Sequence, residues 1–93
     1  MSKTLKEAID HLAAHKNIAA YFRRRGIKGI QGQPNHCPVA NYLKAEGIGE
    51  PSVGTRRATV YHDDGSLERM ALPDGVYQFI LDFDSNLFPE LIA

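Results

Sequence analysis

The chain lacks most of the features that would export, anchor or cross-link a protein. Its 93 residues include one cysteine, Cys37, so no internal disulfide can form and nothing indicates an oxidising compartment. No apolar run approaches the ~18–20 residues needed to span a bilayer. The segment after the first lysines is amphipathic, whereas a signal peptide has a continuous apolar core. We therefore expect one soluble, cytoplasmic domain over residues 1–93, with no membrane contact.

The common signatures of enzymes and cofactor sites are also missing. The sequence contains no Walker loop, GxSxG, dinucleotide fingerprint, CxxC or HExxH. Asp63 and Asp64 suit a turn, and Asp82 and Asp84 point to opposite faces of a predicted helix, so neither pair resembles a carboxylate couple for acid–base catalysis. We expect no cofactor, no resident metal, and a binding function rather than an enzymatic one.

Charge of neither sign dominates, but the two signs are unevenly distributed. The formal net charge is zero, which argues against a general polyanion binder. Residues 1–60 hold ten lysines and arginines against four acidic residues, whereas residues 61–93 hold one arginine against seven acidic residues. Either the two halves pair within the fold, or a basic surface is left to meet an acidic partner.

Capping residues and helical periodicity predict helices in the first half of the chain. Thr4 and Glu7 form a capping box for a first helix that ends near His15. Asn17 can cap a second helix, which ends at Gly26. One bent helix through residues 15–17 is the alternative.

A third helix is predicted from Pro38 to Gly47, with Cys37 at or beside its N-cap. Residues 47–54 are a mixture of Gly, Pro and Ser and are interpreted as a connector. Arg57–Tyr61 and Leu67–Leu72 are extended runs, and the turn signal between them predicts a hairpin whose register stays open.

A fourth helix is predicted after the hairpin, opened by Pro73 and Asp74 and ending near Asp84, with Asn86 available as a cap residue. The apolar tail, residues 87–92, is expected to fold back on the core. The predicted fold class is therefore α+β: three N-terminal helices, a two-stranded antiparallel β-hairpin, then a C-terminal helix and a short apolar tail.

Cys37 is the strongest single candidate for chemistry, because the thiolate of a cysteine at a helix N-terminus is favoured by the helix dipole. With His62 and Asp63 on a following strand, the residue order resembles that of papain-like hydrolases, and this resemblance implies a nucleophile and its base. A buried structural cysteine is the alternative.

A metal site is the second candidate. His11 and His15 are four residues apart on the first helix, and His36 with Cys37 could complete a tetrahedral set. The alternative is that the two helical histidines lie half-exposed at the edge of the apolar stripe.

Basic residues beside a glycine loop are the third candidate. The predicted binding residues are Arg23, Arg24, Arg25, Lys28, Gly29, Arg56 and Arg57. The Gly26–Gly29 stretch resembles the GxxG loop of KH nucleic-acid domains, although the chain lacks that family's first strand and has eight residues between the loop and the next helix. The alternative is that these cations complement a helix C-terminus.

Two stretches, His36–Leu43 and Leu72–Leu91, resemble small uncharacterised α+β proteins of actinobacteria and their phages. A phage origin would imply a protein that binds and redirects a host component. Combining these features, we expect a non-enzymatic protein-protein adaptor or regulator that uses the basic surface around Arg23 to Lys28 to bind a partner, which an acidic surface would suit. A nucleic-acid-binding domain is the alternative and a small cysteine hydrolase the third hypothesis. A homodimer is left open.

Overall fold

The computed structural model describes residues 4–54 and 56–93. The elements in chain order are α1 (Leu5–Ala13), α2 (Ile18–Arg25), α3 (Pro38–Ala45), β1 (Glu50–Val53), β2 (Arg57–Tyr61), β3 (Leu67–Ala71), α4 (Asp74–Asp84) and a 3-10 helix (Pro89–Leu91). The α+β class is confirmed.

The N-termini of the first three helices are fixed by the predicted side chains. The Thr4 hydroxyl accepts a hydrogen bond from the Glu7 amide, and the Thr4 amide donates one to the Glu7 carboxylate, which completes the capping box. The Asn17 side chain caps α2 by accepting a hydrogen bond from the Ala20 amide. At α3 the cap is Cys37, whose Sγ accepts a hydrogen bond of 3.4 Å from the amide of Ala40.

The ends of α2 and α4 require backbone in the left-handed region. Gly26 ends α2 with φ of 68°, a conformation that glycine adopts without strain. Asn86 follows α4 with the same φ, and the amide of Leu87 donates to the carbonyl of Asp82. Both helices therefore end as their sequences predict.

The sheet has three antiparallel strands in the order β1-β2-β3, not two. The prediction of a two-stranded hairpin was wrong in number, because β1 lies in the segment interpreted as a connector. Ser52 of this strand is paired with Thr59 of β2. Pro51 stands inside β1, and proline is tolerated there because β1 is an edge strand. A short strand that contains proline and follows glycines has no sequence signal of its own.

The register of the β2–β3 hairpin places Tyr61 opposite Leu67. Hydrogen bonding with the side chain of Ser66, and the bond that the Ser66 amide donates to the Asp64 carboxylate, lower the pKa of Asp64. Gly65 has φ of 86°, and its amide donates to the carbonyl of His62. The hairpin is therefore closed by a short turn with glycine in the left-handed position.

One face of the sheet is packed against the helices and the other is open. Side chains alternate between buried and exposed along β2, and Ala58 and Val60 are fully buried. The core is completed by large side chains from all four helices and the C-terminal turn, including Phe22, Tyr42, Phe83 and Leu91. The tail packs on the core as predicted. None of the helices in the described ranges is both long and apolar enough to cross a membrane.

Candidate functional site

Two arginines of the predicted basic cluster form ion pairs within the fold. Arg23 pairs with Glu90 at 2.5 Å and Arg25 pairs with Glu46 at 2.7 Å. The Arg25 guanidinium also lies near the rings of Tyr21 and Tyr42. Its hydrogen bond to Glu46 raises the pKa of Arg25. These two side chains hold α2 against its neighbours, which reduces the charge they offer to a partner.

The remaining predicted basic residues lie in two separate places. Arg24 and Lys28 are exposed, and no carboxylate within residues 4–54 and 56–93 pairs with either side chain. Arg56 lies over the ring of Tyr77 at 4.6 Å, and Arg57 begins β2. α2 packs mainly on α4 and the 3-10 helix, whereas Arg57 lies in the sheet and Arg56 directly precedes it.

Gly29 is buried, so it is not part of an open phosphate loop. Its amide donates to the carbonyl of Leu91 and its carbonyl accepts from the amide of Ala93, both at 2.8 Å. A Cβ at this position would overlap the backbone of Pro38. The glycine allows two segments to approach each other closely, and its amide is not available to an anion.

Cys37 is only 5% exposed. It lines a small cavity of about 120 Å³ together with Val53, Ile80 and Asp84. Burial raises the pKa of the Cys37 thiol, and the hydrogen bond from the Ala40 amide opposes that effect only in part. A raised pKa disfavours the thiolate, which is the nucleophilic form.

His62 does not lie beside that cavity. Val53 of the cavity is paired with Ala58. His62 directly follows the end of β2, four residues after Ala58, a separation of about 13 Å at the rise of a strand. The Nε2 atom of His62 instead lies 2.6 Å from the Glu68 carboxylate. Asp63 is exposed in the turn. The geometry therefore does not bring the cysteine, histidine and aspartate together.

The candidate metal ligands form two pairs, His11 with His15 and His36 with Cys37, that are not combined into one site in the described residues. His15 stacks on Tyr21 with ring centroids 3.8 Å apart, and His11 contacts His15 edge-on. Desolvation is the main effect that lowers the pKa of His15, and His11 and Arg24 add to it. His36 is exposed beside Cys37 at the start of α3. Among the described residues, no group of three or more His, Cys, Asp or Glu is arranged to hold a metal.

The exposed side of the sheet brings together a group of residues that the sequence hypotheses did not select as a unit. We call it the open face: Glu50 and Ser52 of β1, Arg57, Thr59 and Tyr61 of β2, and Leu67, Arg69 and Ala71 of β3. Tyr61 is 56% exposed and Leu67 is 46% exposed.

The register orders the open face from an apolar end to a basic end. Tyr61 lies opposite Leu67, whereas Thr59 lies opposite Arg69. Arg57 is on the same face two residues before Thr59, so it is a diagonal neighbour of Arg69. An aromatic–aliphatic pair therefore lies next to a pair of arginines.

In β2 the order Arg57, Ala58, Thr59, Val60 alternates polar and apolar residues and could have identified the exposed face of that strand. β3 does not alternate, because its exposed residues include Leu67 and Ala71 and its inward residues include Glu68. The sequence did not give the register, and without it Tyr61 and Leu67 could not be recognised as neighbours. Comparisons with protein-family models, curated proteins and solved structures found no match for this chain. The resemblance to actinobacterial and phage proteins stays a prediction.

Proposed function

We propose that this protein is a non-enzymatic binding module, a protein-protein adaptor or regulator, whose contact surface is the open face. The exposed Tyr61–Leu67 pair is the observation that carries the proposal. Adjacent exposed apolar side chains favour contact with another protein, and tyrosine and arginine are enriched at such interfaces. Arg57 and Arg69 would supply polar contacts beside this apolar centre.

A protein partner is favoured over nucleic acid by the composition of the same face. An aromatic ring beside arginines could stack a base. However, Glu50 lies opposite Tyr61 on its other side, where it would repel a phosphate backbone. Leu67 offers a base no hydrogen bond. In the basic cluster of α2, Arg23 and Arg25 are engaged in ion pairs, which leaves Arg24 and Lys28 for the alternative, nucleic-acid binding.

The test is affinity capture from a lysate of the source organism, with and without nuclease. The bait is the full chain, the double variant Tyr61→Ser/Leu67→Ser, or the control Leu87→Ser. Leu87 is 60% exposed and lies outside the sheet, so its variant removes a similar amount of exposed apolar surface elsewhere. All three baits should retain the same circular dichroism spectrum, because these side chains are largely outside the core.

We expect one protein to be recovered by the wild-type chain and by Leu87→Ser, with or without nuclease, and to be lost from the double variant. Recovery that disappears after nuclease treatment would overturn the protein-binding proposal in favour of nucleic acid. Equal recovery by all three baits would show that the contact surface is not the open face.

A further inference from the structure

The two outer edges of the sheet differ in their free backbone groups. β1 has a blunted edge. Pro51 has no amide hydrogen, and the amide of Val53 donates to the carbonyl of Pro34 at 2.9 Å. A further strand would therefore find neither of these amides available at β1. Proline on an edge strand is a common means of preventing further pairing.

The β3 edge is arranged in the opposite way. The amide of Leu72 donates to the carbonyl of Arg56, and the amide of His62 donates to the carbonyl of Ser66. In an antiparallel pair, every second residue bonds to the partner strand. The register therefore directs the backbone groups of residues 68 and 70 towards β2, and those of residues 67, 69 and 71 away from the sheet.

These outward groups are open in the part of the chain that the structure describes. No turn, loop or side-chain hydrogen bond within residues 4–54 and 56–93 uses the amide or carbonyl of Leu67, Arg69 or Ala71. All three residues are exposed. A row of unpaired amides and carbonyls is a template for one more strand.

The side chains at this edge indicate the chemistry of that strand. A residue added opposite Arg69 would face that arginine directly, and a residue added opposite Ala71 would lie in the same row as Arg57, which is paired with Ala71. No carboxylate in the described ranges forms an ion pair with either arginine. A residue added opposite Leu67 would meet the Leu67–Tyr61 pair. The complementary strand therefore carries acidic residues opposite Arg69 and Ala71 and an apolar residue opposite Leu67.

We propose that β3 binds an acidic, extended segment of a partner protein as a fourth, antiparallel strand. This inference rests on the proposed function, because the same partner would cover the open face. A second copy of this chain is a poorer occupant. Symmetric pairing of two β3 strands about Arg69 would set the two Arg69 side chains opposite each other, and like charges in that position destabilise a sheet.

Amide hydrogen exchange of the ¹⁵N-labelled full chain tests the edge directly. The probe is the capped peptide Thr-Glu-Val-Glu-Thr-Leu-Thr, whose two Glu and one Leu would face Ala71, Arg69 and Leu67. The matched control peptide has Lys in place of both Glu. We expect fast exchange at Leu67, Arg69 and Ala71 in the free chain, and at least about tenfold slower exchange with the probe. Glu68 and Met70 should be protected in both states.

A pair of variants separates backbone pairing from contact with the open face. Ala71→Pro removes one outward amide without changing charge, and it leaves the ladder with β2 intact because that amide points away from β2. Ala71→Ser is the control. We expect Ala71→Pro to weaken probe binding by up to about tenfold, the upper end for one lost hydrogen bond, and Ala71→Ser to change it by less than about twofold.

The outcomes that overturn the inference are distinct from those that overturn the proposed function. Protection of residues 67, 69 and 71 in the free chain would mean that the edge is already closed, and a dependence of that protection on protein concentration would identify a second copy as its occupant. Equal binding of the Lys peptide, or no protection by millimolar probe, would also overturn it.

Cellular capture distinguishes the two proposals. A partner that is lost from Tyr61→Ser/Leu67→Ser but retained by Ala71→Pro would support the binding module and contradict the added strand. If Ala71→Pro fails to fold, the exchange pattern of the wild-type chain with the probe decides the question.

Discussion

Gly29 must be a glycine because of close packing in the fold, and the residues next to it in the sequence do not indicate this. It lies in a glycine-rich loop next to Lys28, a context that favours a phosphate-binding interpretation. In the fold it is buried between Pro38 and the C-terminal segment, with both backbone groups bonded. Gly29 lacks a side chain so that these segments can pack closely together. The sequence did not show this, because the residues that contact Gly29 come from distant parts of the chain.

We predict that Gly29→Ala destabilises the protein by about 1–3 kcal/mol or more, because the new Cβ must displace the backbone at Pro38. Gly75→Ala is the matched control. Gly75 lies in α4, and a Cβ there meets nothing within 4 Å. That variant should be neutral or more stable by about 0.4–1 kcal/mol. Urea unfolding measures both changes. Equal stability of the two variants would contradict the close approach at Gly29.

Helix caps could be predicted residue by residue, whereas ion pairs could not. Thr4, Asn17 and Cys37 each cap a helix through an amide three residues ahead, so local sequence contains the whole interaction. Arg23 and its partner Glu90 are separated by 67 positions. Only the folded chain brings them together, and the sequence could therefore not distinguish a structural arginine from an exposed one.

At the scale of elements, β1 is the strand that could not be predicted from the sequence. The β-branched and aromatic composition of β2, the extended run that begins at Leu67 and the turn signal between them predicted both strands. β1 has four residues, one of them Pro51, and its pairing with β2 is the main reason it is extended. A strand held by its neighbour is determined by tertiary contact more than by its own propensity.

We predict that amide exchange will confirm β1 through its partner. Thr59 and Tyr61 of β2 direct their amides towards β1, whereas Ala58 and Val60 direct theirs towards β3. All four should exchange at least about a hundredfold more slowly than exposed amides. Ala58 and Val60 are the internal control, because the hairpin protects them with or without β1. Fast exchange confined to Thr59 and Tyr61 would restore the connector interpretation.

At the scale of the whole molecule, the uneven charge distribution is partly neutralised by folding. The pair between Arg23 and Glu90 joins the basic first part of the chain to its acidic last part. The pair between Arg25 and Glu46 lies within the first part. The fold therefore has features of both alternatives drawn from the charge pattern. Some charges pair within the fold, and arginines on the open face and at the end of α2 are left for a partner.

We predict that the chain unfolds as one cooperative unit, because the core combines side chains from both halves. Cys37 supplies a probe independent of secondary structure, since it is buried where α3 meets the sheet. Labelling of its thiol during urea unfolding should have the same midpoint as the loss of helical circular dichroism. With either probe, the free energy of unfolding should fall by about 1 kcal/mol per molar urea. Native-state labelling as fast as that of a free thiol would contradict both the burial and the raised pKa of Cys37.

The unpaired edge of β3 also has a consequence for the isolated chain at high concentration. An edge that accepts a partner's strand also offers a place where other copies can add end to end, as in fibril growth. Arg69 stands at the middle of that edge, and a charge at such a position is a known deterrent to edge-to-edge aggregation. We therefore expect the residue that would recognise an acidic partner also to limit self-association of the unbound protein.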